Sequence, residues 1–317
     1  MAENVIYDTI IIGGGPAGLA AGIYSARARM KTLLIESFSI MGQATMTDLI
    51  ENYPGIEKAT GFELINVFKK QALGFGLEET QGTVKKIFKQ KTDSGELWCV
   101  EDENATYQAV SLIVASGAKA RKIGIPGEEE FVGKGVSYCG TCDGPFFREK
   151  DLVVIGGGDT AVEEAVYLTK FAKKVTLVHR RDRLRATKIL QELIFANKKV
   201  EIKYESCVEK ISGDGKVGIA VIKNLKTGEV SDLECNGVFI FVGWDPNTDF
   251  VKGVVALNEK EYIKADKDMK TNADGIFACG DCCDKILRQV VTACGDGAVA
   301  SYSAQHYVES LKGTEYV

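Results

Sequence analysis

Histidine is almost missing from this chain. Only His179 and His306 occur in 317 residues, too few for a histidine-rich metal centre. No apolar run approaches the roughly 20 residues that a membrane-spanning helix needs, so a membrane role is not expected. Positive charge is short as well. The 39 Lys and Arg against 44 Asp and Glu leave a net charge of −5, which argues against a nucleic-acid partner. The opening MAENVIYDTIIIGGG has no basic segment ahead of an apolar one and enters a strand-like run almost at once, which points to a cytoplasmic protein. What is present is a globular composition, 45% hydrophobic and 26% charged, in a chain long enough for two domains. Nine cysteines without an export signal fit a reducing compartment, where a close cysteine pair is more often catalytic or metal-binding than structural.

One pattern occurs twice. Residues 7–18, YDTIIIGGGPAG, and residues 150–161, KDLVVIGGGDTA, align without a gap: a polar pair, four β-branched or aliphatic residues, three glycines, then a helix start. The same offset leads from Gly18 to Glu36, at the end of KTLLIE, and from Ala161 to His179, at the end of KVTLVH. Each copy therefore reads as a βαβ unit with a glycine-rich turn after its first strand. Such a turn lets backbone N–H groups approach a pyrophosphate, and the helix N-terminus faces the phosphates with its unpaired donors. A lone GxGxxG is a weak signal; here each copy has a strand before it, a helical pattern after it and a polar residue at the ribose distance.

The copies differ at the ribose. Glu36 accepts hydrogen bonds from ribose hydroxyls and repels a 2′-phosphate, which suits FAD or NAD. His179, Arg180, Arg181 and Arg185 in HRRDRLRA match a 2′-phosphate in charge and fork geometry, which suits NADPH. Together they specify a flavoprotein driven by a pyridine nucleotide. After each βαβ unit comes a strand-rich stretch ending in a buried strand and glycine, VSLIVASGA and NGVFIFVGW. The fold expected is α/β: two Rossmann-like dinucleotide-binding domains of the three-layer ββα type, the second inserted in the first. NADGIFACGD and the helical tail after it belong with the flavin. The expected bounds are 1–117 with 248–317 for the FAD domain and 118–247 for the NADPH domain.

Within the inserted domain, SYCGTCDGPFF places Cys139 and Cys142 three apart, followed by Asp143. The pair has three readings: half of a zinc site, a structural disulfide, or a redox pair. A second Cys-x-x-Cys, Cys279 to Cys282, lies far beyond the 15–20 residues, roughly, that separate the halves of a zinc ribbon. A disulfide closing so short a loop gains little chain entropy. The redox reading has a chemistry, since a Cys-x-x-Cys arrangement lowers a thiol pKa and a thiolate attacks disulfides.

GGGPAGLAAGIYSAR, ENYPG, YCGTCDG, GGGDTAVEEA, HRRDRLRA, VGWDPNT and GIFACGD…RQ follow in order over the whole chain. This resembles the low-molecular-weight bacterial thioredoxin reductases. The resemblance implies a homodimer with noncovalent FAD in the outer domain and NADPH in the inserted one. It implies electron flow from NADPH through FAD and the Cys139–Cys142 disulfide to thioredoxin. Cys139 would attack thioredoxin, Cys142 would face the flavin and Asp143 would be the acid–base group, though a capping or turn role in DGP is an alternative. Carried over residue by residue, the flavin site comprises Gly13, Gly15, Pro16, Ala17, Gly18, Glu36, Gly42, Gln43, Asn52, Gly280, Asp281, Arg288, Gln289 and Val290. The NADPH site comprises Gly156, Gly158, Asp159, Thr160, Ala161, His179, Arg180, Arg181 and Arg185. Two departures stand out: Gly140 where the family often has alanine, and the cysteine-rich CGDCCDK, whose thiols read as small core residues or as an auxiliary redox group. The competing function is an NAD(P)H- or ferredoxin-driven flavoprotein disulfide reductase acting on another small redox protein.

Overall fold

The structure, a computed structural model, describes residues 5–37, 42–47, 50–92 and 95–314. Residues 93–94, within the expected strand-rich stretch, and the chain ends at 1–4 and 315–317 lie outside the described residues. The chain divides into two compact units: residues 1–119 with 245–317, and residues 120–244. The cuts differ by a few residues from the expected 117/118 and 247/248. The reason is local: Asn247 N–H donates to Gly117 O at 3.0 Å, and Ser116 Oγ donates to Asn247 O at 2.7 Å, which ties residue 247 back to the first unit.

The first unit opens with β1 (Ile6–Ile12), α1 (Pro16–Arg27), β2 (Thr32–Glu36), α2 (Gly61–Gly74), β3 (Glu78–Gln81), β4 (Lys86–Thr92), β5 (Gly95–Glu101) and β6 (Thr106–Val114). A short strand, β7 (Ala118–Ala120), lies at the first cut. The inserted unit holds β8 (Val136–Ser137), α3 (Gly140–Asp143), β9 (Asp151–Gly156), α4 (Asp159–Leu168), β10 (Lys174–Val178), α5 (Lys188–Ala196) and β11 (Val200–Lys203), then β12 (Ser206–Ser212), β13 (Ile219–Asn224), β14 (Val230–Glu234) and β15 (Gly237–Phe241). The chain returns through β16 (Trp244–Pro246) and β17 (Ile276–Ala278) to the long helix α6 (Val290–Lys312).

In the first unit the described strands run β3-β2-β1-β6-β5-β4, with β17 also on β6. Strand β6 has different partners along its length on the side away from β1. Its first half, Thr106–Ala109, pairs antiparallel with β5, and its second half, Leu112–Val114, pairs parallel with β17. The β4–β6 meander thereby continues the sheet on the far side of β6 from β1, and two apolar clusters pack in the unit. The second unit repeats the plan with a parallel sheet β11-β10-β9-β15-β8 and a separate β12-β13-β14 meander. β1 and β9 are buried on both sides of the pleat, the pattern of central parallel strands. Both units are Rossmann-like, and the second is inserted in the first.

Candidate active site

Each glycine-rich turn shows why its glycines are there. Gly13 has φ +110°, and a Cβ on it would lie 2.4 Å from Ala115 O. A Cβ on Gly18 would lie 1.8 Å from Gly13 O, so α1 can approach β1 only without a side chain. Gly15 is the N-cap of α1 and Pro16 its first residue; no side chain caps the helix, which leaves the first-turn N–H groups for an anion. In the second unit Gly156 has φ +153° and abuts Phe241 O, and a Cβ added there would lie 2.5 Å from the Cβ of buried Ala161. Gly158 caps α4, again with no side-chain cap, and Asp159 and Thr160 form its first turn.

The repeat extends to the ribose positions. A Cβ on Gly14 would lie 2.5 Å from the Glu36 carboxylate, and one on Gly157 would lie 2.2 Å from His179 Nδ1. The middle glycine of each turn therefore makes room for the residue that ends the second strand. Burial pushes the Glu36 carboxyl above its ordinary range, partly offset by Lys69. His179 is buried, and its Nε2 lies 3.0 Å from Arg183 O. Burial, reinforced by the charges of Arg185 and Arg181, lowers its pKa and favours the neutral ring. Arg180, Arg181 and Arg185 are exposed and hold no ion pair among the described residues. Arg185 N–H donates to Gly157 O at 2.7 Å, and Asp159 Oδ1 accepts from Thr187 N at 2.7 Å, which ties the arginine loop to the phosphate turn.

The rest of the expected flavin set converges on the first unit. Gly42 caps a short 3-10 turn, Gln43 Nε2 donates to Ala118 O at 3.5 Å, and Asn52 Nδ2 donates to Gln289 Oε1 at 3.0 Å. Gln289 caps α6, which begins at Val290. Gly280, φ +76°, packs against Ala17 and donates its N–H to Asp296 Oδ2 at 3.1 Å. Asp281 Oδ1 and Arg288 Nε are buried and have no hydrogen-bond partner among the described residues. Arg288 Nη2 donates to Cys283 O at 3.3 Å, so one orphaned atom on each of two groups of opposite sign, beside an uncapped helix start and a glycine cradle, fits a polar cofactor that supplies the missing partners.

Cys139 and Cys142 form a disulfide, with Cα atoms 5.3 Å apart. Cys139 caps the short α3, and its Sγ accepts from Cys142 N at 3.1 Å and lies 3.3 Å from Thr141 Oγ1. Ser137 Oγ accepts from Cys139 N at 3.0 Å and donates to Cys139 O at 3.1 Å. Asp143 ends α3 and stands at the N-cap position of the short 3-10 turn Gly144–Phe147, without a side-chain cap hydrogen bond. It lines a cavity of about 330 Å³ together with Val136, Ser137, Phe146 and Phe147. The two phenylalanines part company. Phe147 packs edge-on against Phe239 at 5.4 Å, whereas Phe146 is 79% exposed beside the pair.

Of the remaining thiols, Cys279 is buried in the first unit's core, and burial holds its pKa well above the ordinary value. Cys282 donates to Val114 O and Cys279 O. Cys235 is pushed up to about 12 by burial. These cysteines serve as small core residues. Sequence patterns gave no hint of Glu128, a buried carboxylate hidden in the run EEE at 128–130, nor of Glu164 beside Gly140.

Two dinucleotide turns, one with an exposed arginine cluster, and a disulfide in the same unit as that cluster define a pyridine-nucleotide-dependent disulfide oxidoreductase. Residues 7–297 match the pyridine nucleotide-disulphide oxidoreductase family, to which the chain belongs. It is 50% identical over 315 residues to a thioredoxin reductase of Peptoclostridium acidaminophilum, covering 97% of this chain and 98% of that one. It is 48% identical over 315 residues to the thioredoxin reductase of Bacillus subtilis strain 168, covering 99% and 98%. A crystal structure of Lactococcus lactis thioredoxin reductase superimposes with a TM-score of 0.92 at 45% identity, covering 96% of this chain and 99% of that one.

Proposed function

We propose that the chain is an NADPH-dependent thioredoxin-disulfide reductase. The observation that carries this is the Cys139–Cys142 disulfide, held on a helix-cap turn in the unit that also carries the arginine-lined nucleotide turn. The net reaction balances as NADPH, a proton and oxidised thioredoxin giving NADP⁺ and thioredoxin dithiol. Bound FAD supplies the two-electron relay between nicotinamide and disulfide.

The chain's own groups then take distinct parts. The α1 turn with Glu36, Asp281 and Arg288 binds FAD, and Gly42, Gln43, Asn52, Gln289 and Val290 shape its surroundings. The α4 turn binds the NADPH pyrophosphate. Arg180, Arg181 and Arg185 bind the 2′-phosphate, while His179 braces their loop against Gly157. On opening of the disulfide, Cys139 Sγ keeps the Cys142 N–H donor, which favours a thiolate for attack on the thioredoxin disulfide. Cys142 resolves the mixed disulfide, and Asp143 hands protons to and from the departing sulfur. Phe146 and the cavity behind it offer the docking edge for thioredoxin. The resemblance supports a homodimer in the cytoplasm. Among the described residues no helix is long and apolar enough to cross a membrane.

The test is anaerobic mixing of the yellow holoenzyme with NADPH, followed by oxidised thioredoxin and a thiol count. Flavin bleaching followed by new thioredoxin thiols is expected, with the second step lost in Cys142→Ser. Bleaching without thiols points to another small redox protein as acceptor. No bleaching by NADPH would overturn the arginine assignment in favour of a ferredoxin or NADH donor.

A further inference from the structure

Outside the residues assigned above, the most completely bonded polar cluster of the second unit centres on Glu128, which is 1% exposed. Its Oε1 accepts from Ile123 N at 3.0 Å and from the Tyr138 hydroxyl at 2.7 Å. Its Oε2 accepts from Gly124 N at 2.6 Å and from Ile125 N at 3.3 Å. A carboxylate is taken out of water at large cost unless its lone pairs are filled, and here four donors fill them. Burial first, and then the Glu128 carboxylate, raise the Tyr138 pKa, so its hydroxyl stays a donor.

The placement of those donors matters more than their number. Three belong to consecutive residues, 123–125, soon after the chain enters the second unit. That segment is fixed in turn by Arg121, whose N–H donates to Gly243 O and whose guanidinium donates to Trp244 O, both at 2.9 Å. The fourth donor belongs to Tyr138, the residue directly before Cys139. From there Ser137 Oγ holds both backbone groups of Cys139, and Cys139 Sγ receives the Cys142 N–H. We propose that Glu128 and Tyr138 are positioning residues for the redox pair: their contact pins residue 138 to residues 123–125 and so fixes the backbone from which Cys139 enters its helix-cap position. The proposal rests on Cys139–Cys142 being the pair that reduces thioredoxin.

The experiment follows alkylation of Cys139 by iodoacetamide in reduced holoenzyme, by peptide mass, across the pH range. In Tyr138→Phe the midpoint is expected to rise by about half a pH unit or more, because the freed backbone no longer holds the Cys139 thiolate in line with its Cys142 N–H donor. Thioredoxin-dependent kcat is expected to fall about fivefold to tenfold, the fold-change of one weakened hydrogen bond to a charged group. Bleaching of the flavin by NADPH keeps its rate. Tyr204→Phe, which removes another half-buried hydroxyl from the same unit, is the control and should move neither quantity. Glu128→Gln should act in the same direction, and the double variant should be no worse than the worse single one. An unmoved alkylation midpoint in Tyr138→Phe, or an equal shift in Tyr204→Phe, overturns the proposal, whether or not the variants lose thermal stability. If the wild-type enzyme reduces no thioredoxin, the functional reading fails, while the alkylation profile still decides the positioning role.

Discussion

Asp143 sits one residue past the disulfide, lines an open cavity, and makes no side-chain cap hydrogen bond to the turn it begins. A carboxylate so placed can shuttle protons for a sulfur leaving group. Asp143→Asn is therefore expected to lower thioredoxin-dependent turnover by about a hundredfold, at the low end of general acid–base contributions. The NADPH half-reaction should stay unchanged, and equal losses in both would remove the acid–base assignment. The three arginines make a second case. Removing Arg180 and Arg181 together should raise the KM for NADPH by about tenfold to a hundredfold and leave NADH nearly untouched, because on the proposed assignment only a 2′-phosphate loses its partners. An equal rise for NADH would show that the loop had merely unfolded. At this scale the sequence was legible wherever a residue's placement follows a fixed offset along the chain, as with Glu36 and His179 beside their glycine turns and Cys139 paired with Cys142. It was silent on Glu128, because a carboxylate in the run EEE carries no pattern that tells the buried one from its exposed neighbours, and only the fold brings Tyr138 to it. Gly140 shows the difference: in the sequence it is a mild departure, yet in the structure a Cβ there would lie 1.9 Å from Glu164 Oε2.

Helices and strands are positioned by contacts that propensity does not contain. Helix α6 crosses α1 so closely that a Cβ on Gly297 would lie 2.0 Å from Ala17 O, and buried Ser25 and Ser301 share a 2.7 Å hydrogen bond between the same two helices. Propensity alone favours Gly297→Ala by about 1 kcal/mol. Overpacking against backbone costs roughly 1–3 kcal/mol, and here the obstacle is a carbonyl that cannot swing aside. Because α1 carries the phosphate turn at its N-terminus, Gly297→Ala is expected to lower both thermal stability and the fraction of flavin retained on purification. A gain in Tm with full flavin content would show that the helix pair yields freely. The capping box at the start of α2, Thr60 with Glu63, offers a smaller and separate effect: Thr60→Ala should cost about 1 kcal/mol without touching flavin content. The repeated βαβ pattern and the meander after each were legible because they rest on local periodicity. The division of β6 between β5 and β17 was not, since β17 arrives from far along the chain and only the fold brings it to Leu112–Val114.

As a whole the molecule joins two units, and a buried histidine in one and two partly buried carboxyls in the other respond to acid with opposite sign. In the second unit burial lowers the pKa of His179 below its ordinary value. Between that native value and the unfolded value of about 6.5 the unfolded chain binds more protons, so acidification takes stability from this unit. In the first unit burial raises both Glu36 and Asp281. Above the ordinary carboxylate value of about 4, and up to their native values, the folded state holds the extra protons, so their contribution declines as pH rises. Calorimetry of the protein should therefore resolve the second unit's transition as the more acid-sensitive one just below neutrality. His179→Gln should flatten that sensitivity, because the replacement does not titrate. It should leave the preference for NADPH largely in place, because on the proposed assignment the exposed arginines bind the 2′-phosphate and the buried ring braces their loop. An unchanged acid slope in His179→Gln would assign the proton uptake to another group. Loss of the NADPH preference would instead make His179 a direct ligand, and the two measurements separate a residue that braces the nucleotide loop from one that reads the nucleotide.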